Sequence, residues 1–161
     1  MSRAEIVIRR ARPADGERVA ELVLGLARFE GKVGTRMTAD GFRRFGFGAR
    51  ARFSTLVATC AGTLQGYAIY MPVFSVEDAK PGFYLDDLYV EPDWRRAGVG
   101  RLLLQRLARE CHKRGFSHIM WHVRLANTDA MAFYDRIDAV RTEVNCRWIE
   151  GDALARLAER H

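Results

Sequence analysis

One stretch constrains the fold more than any other: YLDDLYV (84–90), then EPDWRRAGVG, then RLLLQRLA (101–108). A run of β-forming residues leads into a turn holding Gly98 and Gly100, and helical apolar spacing begins at once. Such a junction calls for a sheet to hold the strand and a layer to hold the helix. The first N–H groups of the helix have no partners inside it, and with the helix dipole they form a site for an anion. Gly98 and Gly100 remove side chains that would keep a phosphate from those N–H groups, while Arg95, Arg96 and Arg101 add guanidinium charge suited to it. A tight structural turn is the competing reading.

The stretch is neither a Walker loop, since G-x-x-x-x-G-K-[ST] is absent, nor a dinucleotide fingerprint, since there is no G-x-G-x-x-G and no acidic ribose partner. A second G-x-G, GFG at 46–48, has no strand leading into it and reads as a loop.

Elsewhere the chain alternates between the two periodicities. EIVIRR (5–10) reads as a strand. Pro13 and Asp15 open a helix whose apolar positions Val19, Leu22, Val23, Leu26 and Phe29 run to about Glu30. Gly31–Gly34 breaks it, and Thr38 caps a short helix to Phe45. FSTLVAT (53–59) and YAIYMPVF (67–74) read as strands around a turn AGTLQG (61–66), with Pro72 marking an edge or bulge. FYLDDLYV (83–90) is the next strand. A helix from Gly98 to about Arg114 carries Val99, Leu102, Leu103, Leu107 and Cys111 on one side and stops at Gly115. SHIMWHV (117–123) reads as a strand, 127–136 as a helix, 139–149 as a last strand and 152–160 as a short helix. The order β α α β β β α β α β predicts an α/β fold with a mixed twisted sheet flanked by helices, one domain over residues 1–161.

The 161 residues suffice for a core, and the 48% hydrophobic content is that of a globular chain. No run approaches the length of a transmembrane helix and the N-terminus lacks a signal-peptide core, so a cytoplasmic protein is expected, with no membrane partner. Cys60, Cys111 and Cys146 are odd in number and far apart, and read as small buried hydrophobes rather than a disulfide or zinc framework. The net charge of +6 favours anionic partners. No nucleic-acid signature appears, and no nucleic acid partner is expected. No H-x-x-H or H-E-x-x-H occurs, so no metal is expected.

Arg95-x-x-Gly98-x-Gly100 behind the strand LDDLYV resembles the acetyl-CoA-binding motif of the GNAT N-acetyltransferases. IVIRRARPADGERVAEL is similar to that family's first strand and helix, and NTDAMAFYDRIDA (127–139) to its second CoA motif. Within the family, LARFE (26–30), DGFRRFGFG (40–48), LDDLYV and NTDAMAFY most resemble the diamine, polyamine and thialysine N-acetyltransferases. Asp138 stands where the family usually has glycine, and aspartate tolerates a left-handed cap. Asp86 stands where glutamate is more frequent.

The resemblance implies a GNAT fold, acetyl-CoA as co-substrate, and a primary amine as acceptor: a polyamine, a diamine or an amino-acid side chain. It implies that Leu88, Tyr89 and Val90 offer backbone groups to the pantetheine arm, and that Arg95, Arg96, Ala97, Gly98, Val99, Gly100 and Arg101 hold the pyrophosphate. Asn127 and Phe133 join the cofactor contacts, and Tyr134 acts as the acid toward the thioester sulfur. Asp86 is the better substrate contact of the aspartate pair, and Glu30 matches an acidic substrate contact.

By residue type alone, Tyr134 is equally a packing tyrosine, Asn127 an N-cap and Glu30 a solvated helix end. Asp86 and Asp87 are adjacent on a strand and are expected on opposite faces. His112 reads as surface, while His118 and His122 share a strand face by even spacing. The strands around 85–90 and 121–123 are expected to splay. A homodimer is the family's common state. The alternatives are a protein, peptide or aminoglycoside acetyltransferase, a silent acyl-CoA sensor, or a nucleic-acid-binding module.

Overall fold

A computed structural model describes residues 5–144 and 146–159. The chain divides into two compact units, Met1–His122 and Val123–His161.

The first unit is a five-stranded sheet in sequence order: β1 (Ile6–Arg10), β2 (Ser54–Cys60), β3 (Thr63–Ser75), β4 (Lys80–Val90) and β5 (His118–Met120). The first four strands are antiparallel neighbours and β5 is parallel to β4, which makes the sheet mixed. Helix α1 (Gly16–Phe29) follows a single 3₁₀ turn at Pro13–Asp15. Arg9 grips Asp15 through both guanidinium nitrogens at 2.7 and 2.9 Å, fixing the strand-to-helix corner. Helix α2 (Ala39–Gly46) is capped by Thr38, whose hydroxyl accepts the Gly41 N–H at 3.0 Å, as the sequence predicts.

One face of the sheet packs Val57, Leu64, Tyr67, Ile69 and Tyr89 against Val19, Leu22 and Val23 of α1 and Phe42 of α2. The opposite face carries α3 (Val99–Lys113). There Glu110, almost wholly buried, accepts from Tyr70 Oη at 2.7 Å and from Arg10 Nη2 at 2.6 Å. Burial alone would raise that carboxyl, but these hydrogen bonds outweigh it and hold it below the ordinary carboxylate range. The network ties α3 to β1 and β3. The buried stripe of α3 is Val99, Leu103, Leu104, Leu107, Glu110 and Cys111; Leu102 is only half-buried.

Several expectations are corrected. The turn between β2 and β3 is not 61–66 but the two residues Ala61 and Gly62, with φ of 49° and 82°. Two successive left-handed residues suit the twist of a tight hairpin, so Thr63–Gly66 belong to the strand. Pro72 is tolerated because β2 pairs with β3 only as far as Tyr70, which leaves that edge of β3 open beyond it. β5 stops at Met120 rather than running to Val123, so His122 lies outside the strand.

The second unit holds α4 (Thr128–Asp135) and α5 (Gly151–Glu159). Asn127 caps α4, its side chain accepting the Ala130 N–H at 3.2 Å. Asp138 closes the end of that helical segment at φ 58°, the left-handed conformation anticipated for it. Residues 139–149, expected as a strand, form none among the described residues. Alternation there is clean, but Val140 and Trp148 are more than four-fifths exposed, and alternation without a neighbouring strand makes no ladder. Cys60 and Cys111 are buried as expected, whereas Cys146 is exposed.

No helix among the described residues is long and apolar enough to cross a membrane.

Candidate active site

The register of β3 on β4 slips at the aspartate pair. Ile69 faces Asp87 and Tyr70 faces Leu85, which leaves Asp86 as an extra residue, a β-bulge. The bulge overturns the expectation that Asp86 and Asp87 point to opposite faces. Leu85 and Leu88 both fall on the side of Tyr70 and Ala68, so two acidic residues occupy the interval that alternation would give to one.

Asp87 lies on the α1 side, where Tyr67 Oη donates to its Oδ2 at 3.2 Å. Burial, then the charge of Asp86, pushes the Asp87 carboxyl up to about 6; the Tyr67 hydrogen bond opposes them only in part. Desolvation raises Asp86 too, and Lys32 partly offsets it. Tyr67 is raised in turn by its burial and then by Asp87, so its hydroxyl remains a donor.

Glu30, the residue that ends α1, contributes a third carboxyl: its charge also acts on Asp87. Lys32 Nζ sits 2.5 Å from Glu30 Oε2. The sequence names Glu30, Asp86 and Asp87, and the structure gathers all three. It does not name Tyr67 or Lys32. Tyr67 was hidden because a bulge decides its partner across the strands. Lys32 carried a local signal, a lysine following the glycine that ends a helix.

β4 and β5 pair only over Gly82–Tyr84 and His118–Met120. From Leu85 onward, no strand among the described residues covers that edge of β4, and the bulge at Asp86 lies just beyond the fork. Tyr84 Oη and His122 Nδ1 meet across it at 3.0 Å. Leu88, Tyr89 and Val90 follow along the open stretch. The Tyr89 ring is core packing, and its hydroxyl donates to Glu91 at 3.1 Å. The Val90 carbonyl is already taken by Arg95 Nε at 2.9 Å.

The turn into α3 has the chemistry of an anion site. Gly98 is its N-cap at φ 89°, with no side-chain cap. A Cβ at Gly98 would meet nothing within 4 Å, so the space over the helix end is open. The other four helices among the described residues begin with an acid in the first turn: Glu17, Asp40, Asp129 and Asp152. The first turn of α3 has none and carries Arg101 instead. A cation there opposes the dipole unless an anion joins it. Ala97 and Arg96 are exposed beside the turn, and Arg96 itself is left-handed at φ 64°. Val99 is a buried anchor, and Gly100 follows it in the helix. Uncapped N–H groups, open space and exposed guanidinium groups together fit a pyrophosphate.

Arg95 points elsewhere. Its guanidinium lies 4.4 Å over the Phe29 ring and 5.5 Å from the Tyr89 ring. It lines a groove of about 630 Å³ with Arg18, Gly25, Phe29, Tyr89 and Glu91. Phe29, on the apolar stripe of α1 yet half-exposed, is covered by this arginine.

In the second unit, Phe133 and Tyr134 stand side by side on α4, ring centroids 5.3 Å apart. Burial pushes the Tyr134 phenol up to about 12, so it is protonated at neutral pH.

A family model described as "Acetyltransferase (GNAT) family" matches residues 24–138. The chain belongs to that family and is an acetyltransferase of its type. It is 34% identical over 92 residues to L-ornithine N5-acetyltransferase of Arabidopsis thaliana, a match covering 56% of this chain and 40% of that one. It is 29% identical over 169 residues to thialysine N-epsilon-acetyltransferase of Bos taurus, covering 96% of this chain and 98% of the other. Among solved structures, an integron cassette protein from the mobile metagenome of V. cholerae shares the fold, with a TM-score of 0.82 at 21% identity over 96% of this chain and 98% of that one.

Proposed function

We propose that the protein transfers the acetyl group of acetyl-CoA to a primary amine of a small cationic acceptor. The observation that carries this reading is the acidic cluster of Glu30, Asp86 and Asp87, gathered at the end of α1 and the bulge of β4 in a chain of net charge +6. Acids concentrated in a basic protein suit a cationic acceptor beside an anionic co-substrate.

Acetyl-CoA supplies the acetyl group as a thioester. The backbone N–H groups at Gly98, Val99, Gly100 and Arg101, with the Arg96 and Arg101 side chains, hold its pyrophosphate. Arg95 fixes the loop from the α1 side, and Ala97 keeps the turn free of bulk. The open edge of β4 at Leu88 and Tyr89 takes the pantetheine arm, and Asn127 and Phe133 add contacts from α4. Asp86 and Asp87 anchor the ammonium, and one proton leaves the amine through Asp86 or water before attack. The amine nitrogen then bonds to the acetyl carbon, the carbon–sulfur bond breaks, Tyr134 donates its phenol proton to the departing sulfur, and the second proton on the nitrogen leaves through water, which restores the phenol. A single acetyltransferase domain over residues 1–161 is our proposal, supported by a family match over residues 24–138. A homodimer remains our proposal for the assembly.

Thiol release from acetyl-CoA, followed against ornithine, lysine, thialysine, putrescine, spermidine, an aminoglycoside and a basic peptide, tests the reading. Release with a small amine is expected. Release with the peptide alone would replace the acceptor class, and binding of acetyl-CoA without any release would leave a sensor.

A further inference from the structure

Lys32 brings a primary amine of the chain itself to the carboxyls proposed to receive one. Gly31 adopts φ 69° and its N–H donates to the Arg28 carbonyl at 3.0 Å, while the Lys32 N–H donates to the Ala27 carbonyl at 2.8 Å. This pair of bonds closes the end of α1 and pins the backbone of residue 32 beside the last helical turn. The ammonium pairs with Glu30 Oε2 at 2.5 Å, and its charge also acts on Asp86 and Asp87. The side chain is 54% exposed and rides on a flexible four-carbon stem, so the amine can be reached and can turn.

The chain has three lysines: Lys32, Lys80 and Lys113. Lys80 opens β4 and Lys113 ends α3, and both are exposed. Exposure alone would make all three react alike with an acylating agent. A difference in favour of Lys32 reports its place at the acidic cluster.

We propose that Lys32 is a self-acetylation site: when no free amine occupies the acceptor site, the Lys32 amine takes the acetyl group of acetyl-CoA held by the same molecule. The inference rests on the acetyl-transfer reading above and adds to it an acceptor within the chain. The Lys32 ammonium loses one proton to Asp86 or water, its nitrogen bonds to the acetyl carbon, and the carbon–sulfur bond breaks. The sulfur leaves as the thiol with the proton of Tyr134, and the second proton on the nitrogen leaves through water, which restores the phenol. Amine and thioester share one molecule, so the step gains from proximity. The product is an uncharged amide, which ends the ion pair with Glu30.

The test incubates the wild type with acetyl-CoA and no added amine, then locates acetyl groups by peptide mass spectrometry. Lys32 is expected to be acetylated at least about tenfold faster than Lys80 and Lys113, since a held amine outruns a free one. The rate per molecule should hold as the protein is diluted, and an excess of the amine that gives the fastest thiol release should suppress it. Lys32→Arg keeps the charge but offers no acceptor, so thiol release without added amine should fall to the rate of acetyl-CoA hydrolysis in buffer. Equal labelling of the three lysines overturns the inference, because the acetylation is then unassisted chemistry. A rate per molecule that rises with protein concentration overturns the step within one molecule. An unmodified Lys32 in a protein that releases thiol with a free amine overturns the inference and leaves the acetyl-transfer reading standing. Neither acetyl-Lys32 nor thiol release with any amine overturns both.

Discussion

Asp87 carries the strongest electrostatic perturbation in the acidic cluster, and it links the site to stability. A carboxyl raised to about 6 is more easily protonated in the fold than in the unfolded chain. Its stabilising contribution is full below the ordinary carboxylate range and is lost as pH rises through about 6. Asn cannot ionise, so Asp87→Asn is expected to be more stable than the wild type at pH 8, by about 1 to 2 kcal/mol, and nearly equal at pH 4. Urea melts at the two pH values check this; equal stability at pH 8 would mean that Asp87 is not strained by its surroundings. The same substitution should remove any rise of kcat/KM through pH 6. Tyr134 answers a different need. With its phenol raised to about 12 by burial, it stays protonated at neutral pH and is available as an acid. Tyr134→Phe is expected to lower kcat by roughly a hundredfold, with acetyl-CoA affinity unchanged in a calorimetric titration. A wild-type rate would remove Tyr134 from the mechanism.

At the scale of elements, the bulge of β4 shows what sequence can and cannot reveal. LDDLYV was legible as a strand because its apolar residues and β propensity are local properties. The extra residue at Asp86 was not, since it exists only relative to β3, and pairing register has no local signature. The α3 turn was legible because its requirement is local: a left-handed N-cap that only glycine adopts easily, as Gly98 does at φ 89°. Arg95 was legible as a cation but not as a clamp on Phe29, which depends on α1 lying beside the end of β4. The close spacing of β3 and β4 makes a further demand. A Cβ at Gly66 would stand 2.9 Å from the Tyr89 carbonyl oxygen, and backbone cannot move aside as a side chain would. Gly66→Ala should therefore destabilise by about 1 to 3 kcal/mol, read as a lower urea midpoint with an unchanged slope. A neutral result would mean that the strands can separate there at no cost.

Across the whole molecule, charge is sorted rather than merely abundant. The basic excess leaves an uncapped, acid-free helix start with Arg96 and Arg101 exposed beside it, while the carboxyls of Glu30, Asp86 and Asp87 collect around the bulge. The element order was legible from the sequence through α4. It failed at 139–149, where a strand was expected and Val140, Val144 and Trp148 stand exposed. Periodicity reports which face a strand would bury, not whether a neighbour is present to pair with it.

The most direct test of the account is a calorimetric titration of acetyl-CoA into the wild type and into Gly98→Val. A Cβ at Gly98 meets no atom within 4 Å, so the main cost of the valine to the fold is backbone strain at φ 89°, about 1 to 3 kcal/mol. The account predicts saturable binding to the wild type that weakens with salt, and at least a hundredfold loss in a variant that still melts cooperatively. Equal affinity in the two proteins would contradict it, because the glycine turn would then make a corner of the fold and hold no pyrophosphate.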